Sequence, residues 1–102
     1  MTTADPRIQH TVSFRLHHEP GSEAERDFLA AAAALTAIPG VEDYQQLRQV
    51  SPKSDHTFWF TMWFDDQDAY TAYNEHPDHV AFVRDRWQAE VADFQELDFV
   101  AL

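Results

Sequence analysis

The chain has 102 residues, no cysteine, and 18 acidic against 7 basic residues, which give a formal net charge of −11. The absence of cysteine excludes disulfides, thiolate metal sites and cysteine nucleophiles, and the acidity disfavours nucleic acid and anionic lipid as partners. No apolar run reaches the ~18 residues that a membrane span requires. We therefore expect one soluble, cytoplasmic domain over residues 1–102, with residues 1–6 flexible.

Alternating apolar residues predict a first strand over residues 8–16, and a capping box at Ser22 predicts a helix that ends at Pro39 and Gly40. A less regular strand is expected over residues 41–50, and an aromatic strand over residues 55–64. The inward face of the first strand is expected to carry Ile8, His10, Val12, Phe14 and Leu16.

Asp65 or Asp66 is expected to cap a short helix through Tyr73. A longer helix should run from Pro77 to about residue 92, and a last strand over residues 94–102. The order βαββαβ predicts an α+β, ferredoxin-like half-barrel, in which a four-stranded antiparallel sheet carries its helices on one face.

The opposite face of the predicted sheet carries Trp59 and Trp63. Two exposed tryptophan side chains would present roughly 300–500 Å² of surface. A monomer rarely leaves an apolar patch of that size uncovered. We therefore expect a homodimer that forms through the sheet faces.

Acid/base chemistry is concentrated around Pro77, where Tyr73, His76 and His79 lie three residues apart. Proline favours the first turn of a helix, so His79 is expected to face the sheet from the start of the last helix. A helix N-terminus disfavours the imidazolium, which helps to keep the ring of His79 neutral. Asp98 on the last strand is expected to hydrogen-bond this ring and fix its tautomer.

Two other residues leave alternatives open. His10 is either a hydrogen-bonded core residue or, with Tyr73 and His79, part of a polar pocket. Tyr73 either donates its phenolic proton to a carbonyl or enolate oxygen, or simply covers the sheet together with Tyr70.

A metal site is the weaker interpretation of the two motif histidines. His76 and His79 could form a ligand pair, with Glu75 and His10 as further ligands. Pro77 disfavours this pair, because it places His76 outside the helix that carries His79. We expect neither a metal nor a cofactor.

Four segments of the chain, residues 8–14, 38–41, 64–66 and 73–79, resemble in this order the stress-responsive dimeric α/β-barrel (Dabb) family. The tyrosine followed by His-Pro-x-His is the most specific of them. The resemblance covers nearly the whole chain and implies a half-barrel that dimerises through its sheet.

The resemblance also implies site residues. In the family's plant polyketide cyclase, a motif histidine acts as the base and a tyrosine holds the substrate, which implies these roles for His79 and Tyr73. It implies that Asp98 orients the catalytic histidine and that His10 lines the pocket. The remaining pocket walls would be Val12, Phe14, Phe28, Phe60, Met62 and Trp87.

The expected function is cofactor-free acid/base catalysis, of cyclase or lyase type, on a small carbonyl or aromatic ligand. The alternative is a non-catalytic dimeric stress-responsive or accessory protein, in which Tyr73, His76 and His79 form a structural corner. A haem-degrading or cofactor-free monooxygenase ranks below both, because no histidine stands in a clear iron-binding context.

Overall fold

Four antiparallel strands with helices on one face make up the computed structural model, which describes residues 5–102. Residues 1–6 are expected to be flexible, and the first four of them lie outside the described residues. The spatial order of the strands is β2-β3-β1-β4, as in a ferredoxin-like half-barrel, which confirms the predicted fold class. The strands are β1 Ile8–Leu16, β2 Glu42–Arg48, β3 Phe58–Phe64 and β4 Val91–Phe99.

The first two helices begin at side-chain caps. Helix α1 is Glu23–Ala33, and Ser22 Oγ accepts the amide hydrogen of Glu25 at 3.2 Å. Helix α2 is Gln67–Glu75; of the two expected caps, Asp66 is the one used, because its Oδ1 accepts an amide hydrogen at 2.8 Å. A 3₁₀ turn, Ala34–Ala37, extends α1.

The last helical segment is shorter and less regular than the single helix expected up to residue 92. Helix α3 is Pro77–Phe82, and it continues through a π-helical turn, Val83–Trp87, into α4, Gln88–Glu90. The carbonyl of Glu90 accepts the amide hydrogen of His17 at 2.9 Å, which ties the end of the helix to the sheet.

The last strand also starts and ends earlier than expected, so the predicted range of residues 94–102 is wrong. Val91 already pairs with Leu16, and the ladder ends where Phe99 lies opposite Gln9 near the start of β1. The pairing with β1 therefore sets the limits of β4, and these limits are not visible in the periodicity of β4 itself.

The core lies between the helices and the inner faces of β1 and β3. Phe14, Phe28 and Phe64 are its largest fully buried side chains. One cluster surrounds Phe14 and Phe28, and a second surrounds Phe64 together with Tyr70 and Tyr73. Tyr70 and Tyr73 of α2 thus pack on the sheet, as expected if they cover it.

The outer face of the sheet carries no helix in the described part of the chain. The register places Trp59 beside Ser13 and places Leu97 beside Thr11 on this face. Leu97 is 39% exposed and Phe99 is 48% exposed, so apolar surface is open to solvent here. Among residues 5–102, no helix combines the length and the apolar character needed to cross a membrane.

Candidate functional site

A cavity of about 460 Å³ opens at the inner face of the sheet, beside the helical segment that follows α2. Small-molecule pockets in proteins typically measure roughly 300–1,000 Å³. The polar side chains that line the cavity are His10, Tyr73, Asn74, His79, Gln88 and Glu96. Its apolar walls are Val12, Phe60, Met62, Val83, Trp87, Val91 and Phe94.

Two of the expected wall residues do not reach this cavity. Phe14 and Phe28 are 0% exposed, and their ring centroids lie 5.8 Å apart in the core. The Trp87 ring, which lines the cavity, lies 4.9 Å from that of Phe14 and 6.1 Å from that of Phe28. Phe14 and Phe28 are therefore core residues and are not among the side chains that line this cavity.

Asp98 forms a polar group with His10 and Tyr70, in which the two rings are buried and the carboxylate side chain is 38% exposed. The antiparallel ladder places Asp98 directly opposite His10, and Oδ1 of Asp98 lies 2.6 Å from Nδ1 of His10. The Tyr70 hydroxyl donates to Oδ2 of Asp98 at 2.9 Å and lies 2.9 Å from the same imidazole nitrogen. Because a carboxylate only accepts hydrogen bonds, Nδ1 of His10 carries the hydrogen in this arrangement.

The expected hydrogen bond between Asp98 and His79 is not formed. Nδ1 of His79 lies 3.1 Å from the main-chain oxygen of Asn74, which also only accepts, so this ring too carries its hydrogen on Nδ1. The pairing of β1 with β4 places Asp98 opposite His10, and His79 instead uses the main-chain oxygen of Asn74 at the end of α2. Helix macrodipoles and strand positions alone could not reveal this exchange of partners.

Tyr73 and His79 stand side by side at the cavity, with ring centroids 4.5 Å apart. Burial lowers the pKa of His79 below its usual 6.5, although the Asn74 carbonyl partly opposes this shift. Burial raises the pKa of Tyr73. Near neutral pH the site therefore presents a neutral imidazole next to a protonated phenol.

His76 and His79, which were considered as a metal-ligand pair, each form a hydrogen bond to the main chain. Nδ1 of His76 accepts the amide hydrogen of Asp78 at 3.1 Å and so caps α3. Among the described residues, two other triads place potential ligand atoms within 4.8 Å of one another and could hold a cation. They are His10, Glu96 and Asp98 at the cavity, and Asp55, His56 and Asp93 on the outer face.

Sequence reasoning missed several residues of the site, among them Tyr70, Asn74, Phe94 and Glu96. Tyr70 was assigned only a covering role, although it lies one helical turn before Tyr73 and shares its face. Glu96 and Phe94 alternate with Asp98 along β4, so strand periodicity could have placed them on the cavity side. Asn74 contributes a main-chain oxygen, which residue identity does not signal.

The half-barrel with an acid/base cavity under its helices defines a class of ferredoxin-like α/β-barrel proteins. The model of the Stress Responsive A/B Barrel Domain, Dabb, matches residues 8–101, and the chain belongs to this family. No curated protein matches the chain.

Solved structures show the same fold. A Dabb family protein from Mesorhizobium loti is 57% identical, with 94% of this chain and 97% of that chain covered and a TM-score of 0.93. A dimeric ferredoxin-like protein from Thermobifida fusca is 24% identical, with 93% and 91% covered and a TM-score of 0.77. A hydroxynitrile lyase from Passiflora edulis is 14% identical, with 96% and 95% covered and a TM-score of 0.83.

Proposed function

We propose that the cavity binds a small carbonyl compound and that the protein catalyses cofactor-free acid/base chemistry on it, of cyclase or lyase type. The observation that carries this proposal is the pair of His79 and Tyr73, whose rings lie 4.5 Å apart at the wall of a 460 Å³ cavity. One ring is held neutral and the other protonated by burial.

The proposed step is proton abstraction beside a carbonyl group. Nδ1 of His79 is engaged by the Asn74 carbonyl, so Nε2 is the nitrogen that can accept a proton. The substrate C–H bond breaks, the proton goes to Nε2, and the electron pair moves to the carbonyl oxygen. The Tyr73 hydroxyl donates a hydrogen bond to this oxygen. General acid/base assistance of this kind typically accelerates a reaction by about 10²–10⁴-fold.

A structural neighbour supports the reaction class. The Passiflora edulis protein with this fold is a hydroxynitrile lyase. Because that protein shares 14% sequence identity with this chain, it tells us that the fold can host lyase chemistry. The residues proposed here rest on their own geometry in this chain.

We also propose that the protein works as a homodimer through the outer face of the sheet. This face carries Trp59, Trp63, Leu97 and Phe99, of which the last two are 39% and 48% exposed. Apolar surface of this extent favours a partner surface of matching shape. The Thermobifida fusca protein with this fold is dimeric, which supports a dimer here.

Deuterium exchange tests the catalytic proposal without knowledge of the natural substrate. Phenylacetone in D₂O should lose its α-hydrogen NMR signals faster with the protein than in buffer alone. His79→Ala should slow the catalysed exchange by about 10²–10⁴-fold, and Tyr73→Phe should slow it less. His17→Ala, an exposed histidine outside the cavity, is the matched control and should exchange at the wild-type rate. Full exchange activity in His79→Ala would remove the proposed mechanism.

One observation favours the alternative of a non-catalytic accessory protein. His76 caps α3, and His79 bonds the Asn74 carbonyl, so both motif histidines fasten the break between α2 and α3. If this is their whole role, His79→Ala should lower the free energy of unfolding by about 0.5–1.5 kcal/mol, because the hydrogen bond to the Asn74 carbonyl is lost. That cost, together with no exchange and no binding of phenylacetone by the wild type, would favour the accessory role.

A further inference from the structure

The cavity contains a second imidazole that the proposed mechanism does not use. His10 is buried, lines the cavity and holds its Nδ1 hydrogen against the carboxylate of Asp98 at 2.6 Å. Within residues 5–102, Nε2 of His10 has no hydrogen-bond partner, yet it is not among the polar atoms sealed from solvent. An unpaired ring nitrogen that keeps accessible surface, on a residue that lines a cavity, is placed to exchange protons with a ligand.

The two imidazoles differ in the group that holds Nδ1. A main-chain carbonyl holds the ring of His79, whereas a carboxylate holds the ring of His10. A carboxylate stabilises the positive charge of an imidazolium much better than a neutral carbonyl does. His10 is therefore suited to carry and deliver a proton, while His79 is suited to remove one.

We propose that His10 is a second catalytic residue, the general acid, and that Asp98 and Tyr70 are its positioning residues. This inference rests on the proposed function and narrows its substrate class. A site with one base and one acid fits a reaction that moves protons at two separate atoms. The substrates with this requirement are hydroxyl compounds that split into a carbonyl compound and a carbon leaving group, such as β-hydroxy ketones and hydroxynitriles.

The step balances for a β-hydroxy ketone. The hydroxyl proton goes to Nε2 of His79, and the oxygen electron pair forms the new carbonyl bond. The carbon–carbon bond breaks, and its electron pair forms an enolate whose oxygen accepts a hydrogen bond from Tyr73. The enolate carbon then takes a proton from Nε2 of the His10 imidazolium. Solvent returns the proton from His79 to His10.

Two probes separate the acid step from the base step. Exchange of phenylacetone in D₂O depends on the base, while cleavage of the benzaldehyde–acetone aldol adduct also depends on the acid. His10→Gln should lower the release of benzaldehyde by about 10²–10⁴-fold, a much larger loss than it causes in the exchange reaction, because exchange needs only the base. His79→Ala should lower both rates. His18→Gln, which removes another histidine bonded to a carboxylate, at the opposite end of the chain's first strand, should change neither.

A spectroscopic measurement tests the positioning residues independently of activity. Long-range ¹H–¹⁵N spectra of the wild-type protein should show the hydrogen of His10 on Nδ1. Asp98→Asn should weaken this preference, because an amide can donate to Nδ1, and should lower aldol cleavage with it. Tyr70→Phe should produce a smaller change of the same sign, because it removes one hydrogen bond to the carboxylate.

The outcomes distinguish this inference from the function on which it rests. A wild type that exchanges phenylacetone but does not cleave the aldol adduct or mandelonitrile keeps the proposed function and overturns the inference. Unchanged cleavage in both His10→Gln and Asp98→Asn overturns it as well. A wild type that neither exchanges nor cleaves any probe overturns both.

Discussion

Two histidine–aspartate pairs involve β4, one on each face of the sheet. They differ in how many ring nitrogens of the histidine have a hydrogen-bond partner. At the cavity, Asp98 and the Tyr70 hydroxyl both approach Nδ1 of His10. On the outer face, Nε2 of His56 lies 3.0 Å from Asp93, and Nδ1 lies 2.8 Å from the hydroxyl of Ser13. The first ring keeps one nitrogen without a partner in the described chain, and the second uses both.

The two groups share their residue types and differ in the occupancy of the ring nitrogens, which is why we propose a chemical role for His10 and a structural role for His56. Both groups contain a histidine, an aspartate and a hydroxyl. His10 lines the cavity described above, and His56 is not among the residues that line it. His56 precedes β3, and its two hydrogen bonds fasten that end of β3 to β1 and β4. A search for triads by composition would rank the two groups equally.

The largest effect is expected from a charge on the outer face, because this face should be covered by the second subunit. Trp59→Glu should weaken the dimer by roughly 30-fold or more, since a central aromatic residue commonly contributes about 2 kcal/mol or more to an interface. Native mass spectrometry at low micromolar concentration measures the shift towards monomer. Val80→Glu, on an exposed position of α3, is the control and should stay dimeric. A wild type that is monomeric under these conditions would contradict the assembly.

An intermediate effect is expected from the outer histidine. His56→Ala should lower the free energy of unfolding by about 1–3 kcal/mol, because it leaves the hydroxyl of Ser13, a residue only 2% exposed, without its partner. Exchange of phenylacetone should stay at the wild-type rate. Denaturant melts of His56→Ala and of the double variant with Ser13→Ala provide the measurement. The double variant should recover part of the loss, and a fully additive loss would speak against the pairing.

The smallest effect concerns the pH dependence of stability. The folded chain holds the pKa of His79 below 6.5, so around and below that pH the unfolded chain binds more protons than the folded chain. Stability should therefore fall as the pH drops below about 6.5 and should level off below the lowered pKa of the folded state. His79→Gln should make this part of the profile shallower. Thermal melts between neutral and mildly acidic pH test it, and an unchanged slope in the variant would contradict the assignment.

Most of the fold follows from local patterns in the sequence. Period-two alternation identified β1 and β3, because each buries one face, and the caps at Ser22 and Asp66 marked helix starts. The end of the last helix and the limits of β4 escaped prediction, because pairing with β1 decides them.

The sequence predicted several residues of the site but did not predict which of them form hydrogen bonds with each other. The sequence indicated that His10, Tyr73 and His79 face inward, and all three line one cavity. It could not indicate which of two inward histidines lies opposite Asp98, since that depends on the register between β1 and a strand some eighty residues later along the chain. It also could not show that Trp87 lines the cavity while Phe14 is fully buried, because packing in three dimensions decides which ring reaches the surface.

The π-helical turn Val83–Trp87 offers a single-residue route to altered ligand preference. Such a turn contains one residue more than the α-helix around it, and each residue turns a helix by about 100°. In-frame loss of one codon within the segment would restore regular winding and remove one side chain from a turn whose two ends, Val83 and Trp87, both line the cavity. Relatives that differ in length here would then accept ligands of different shape on an unaltered sheet.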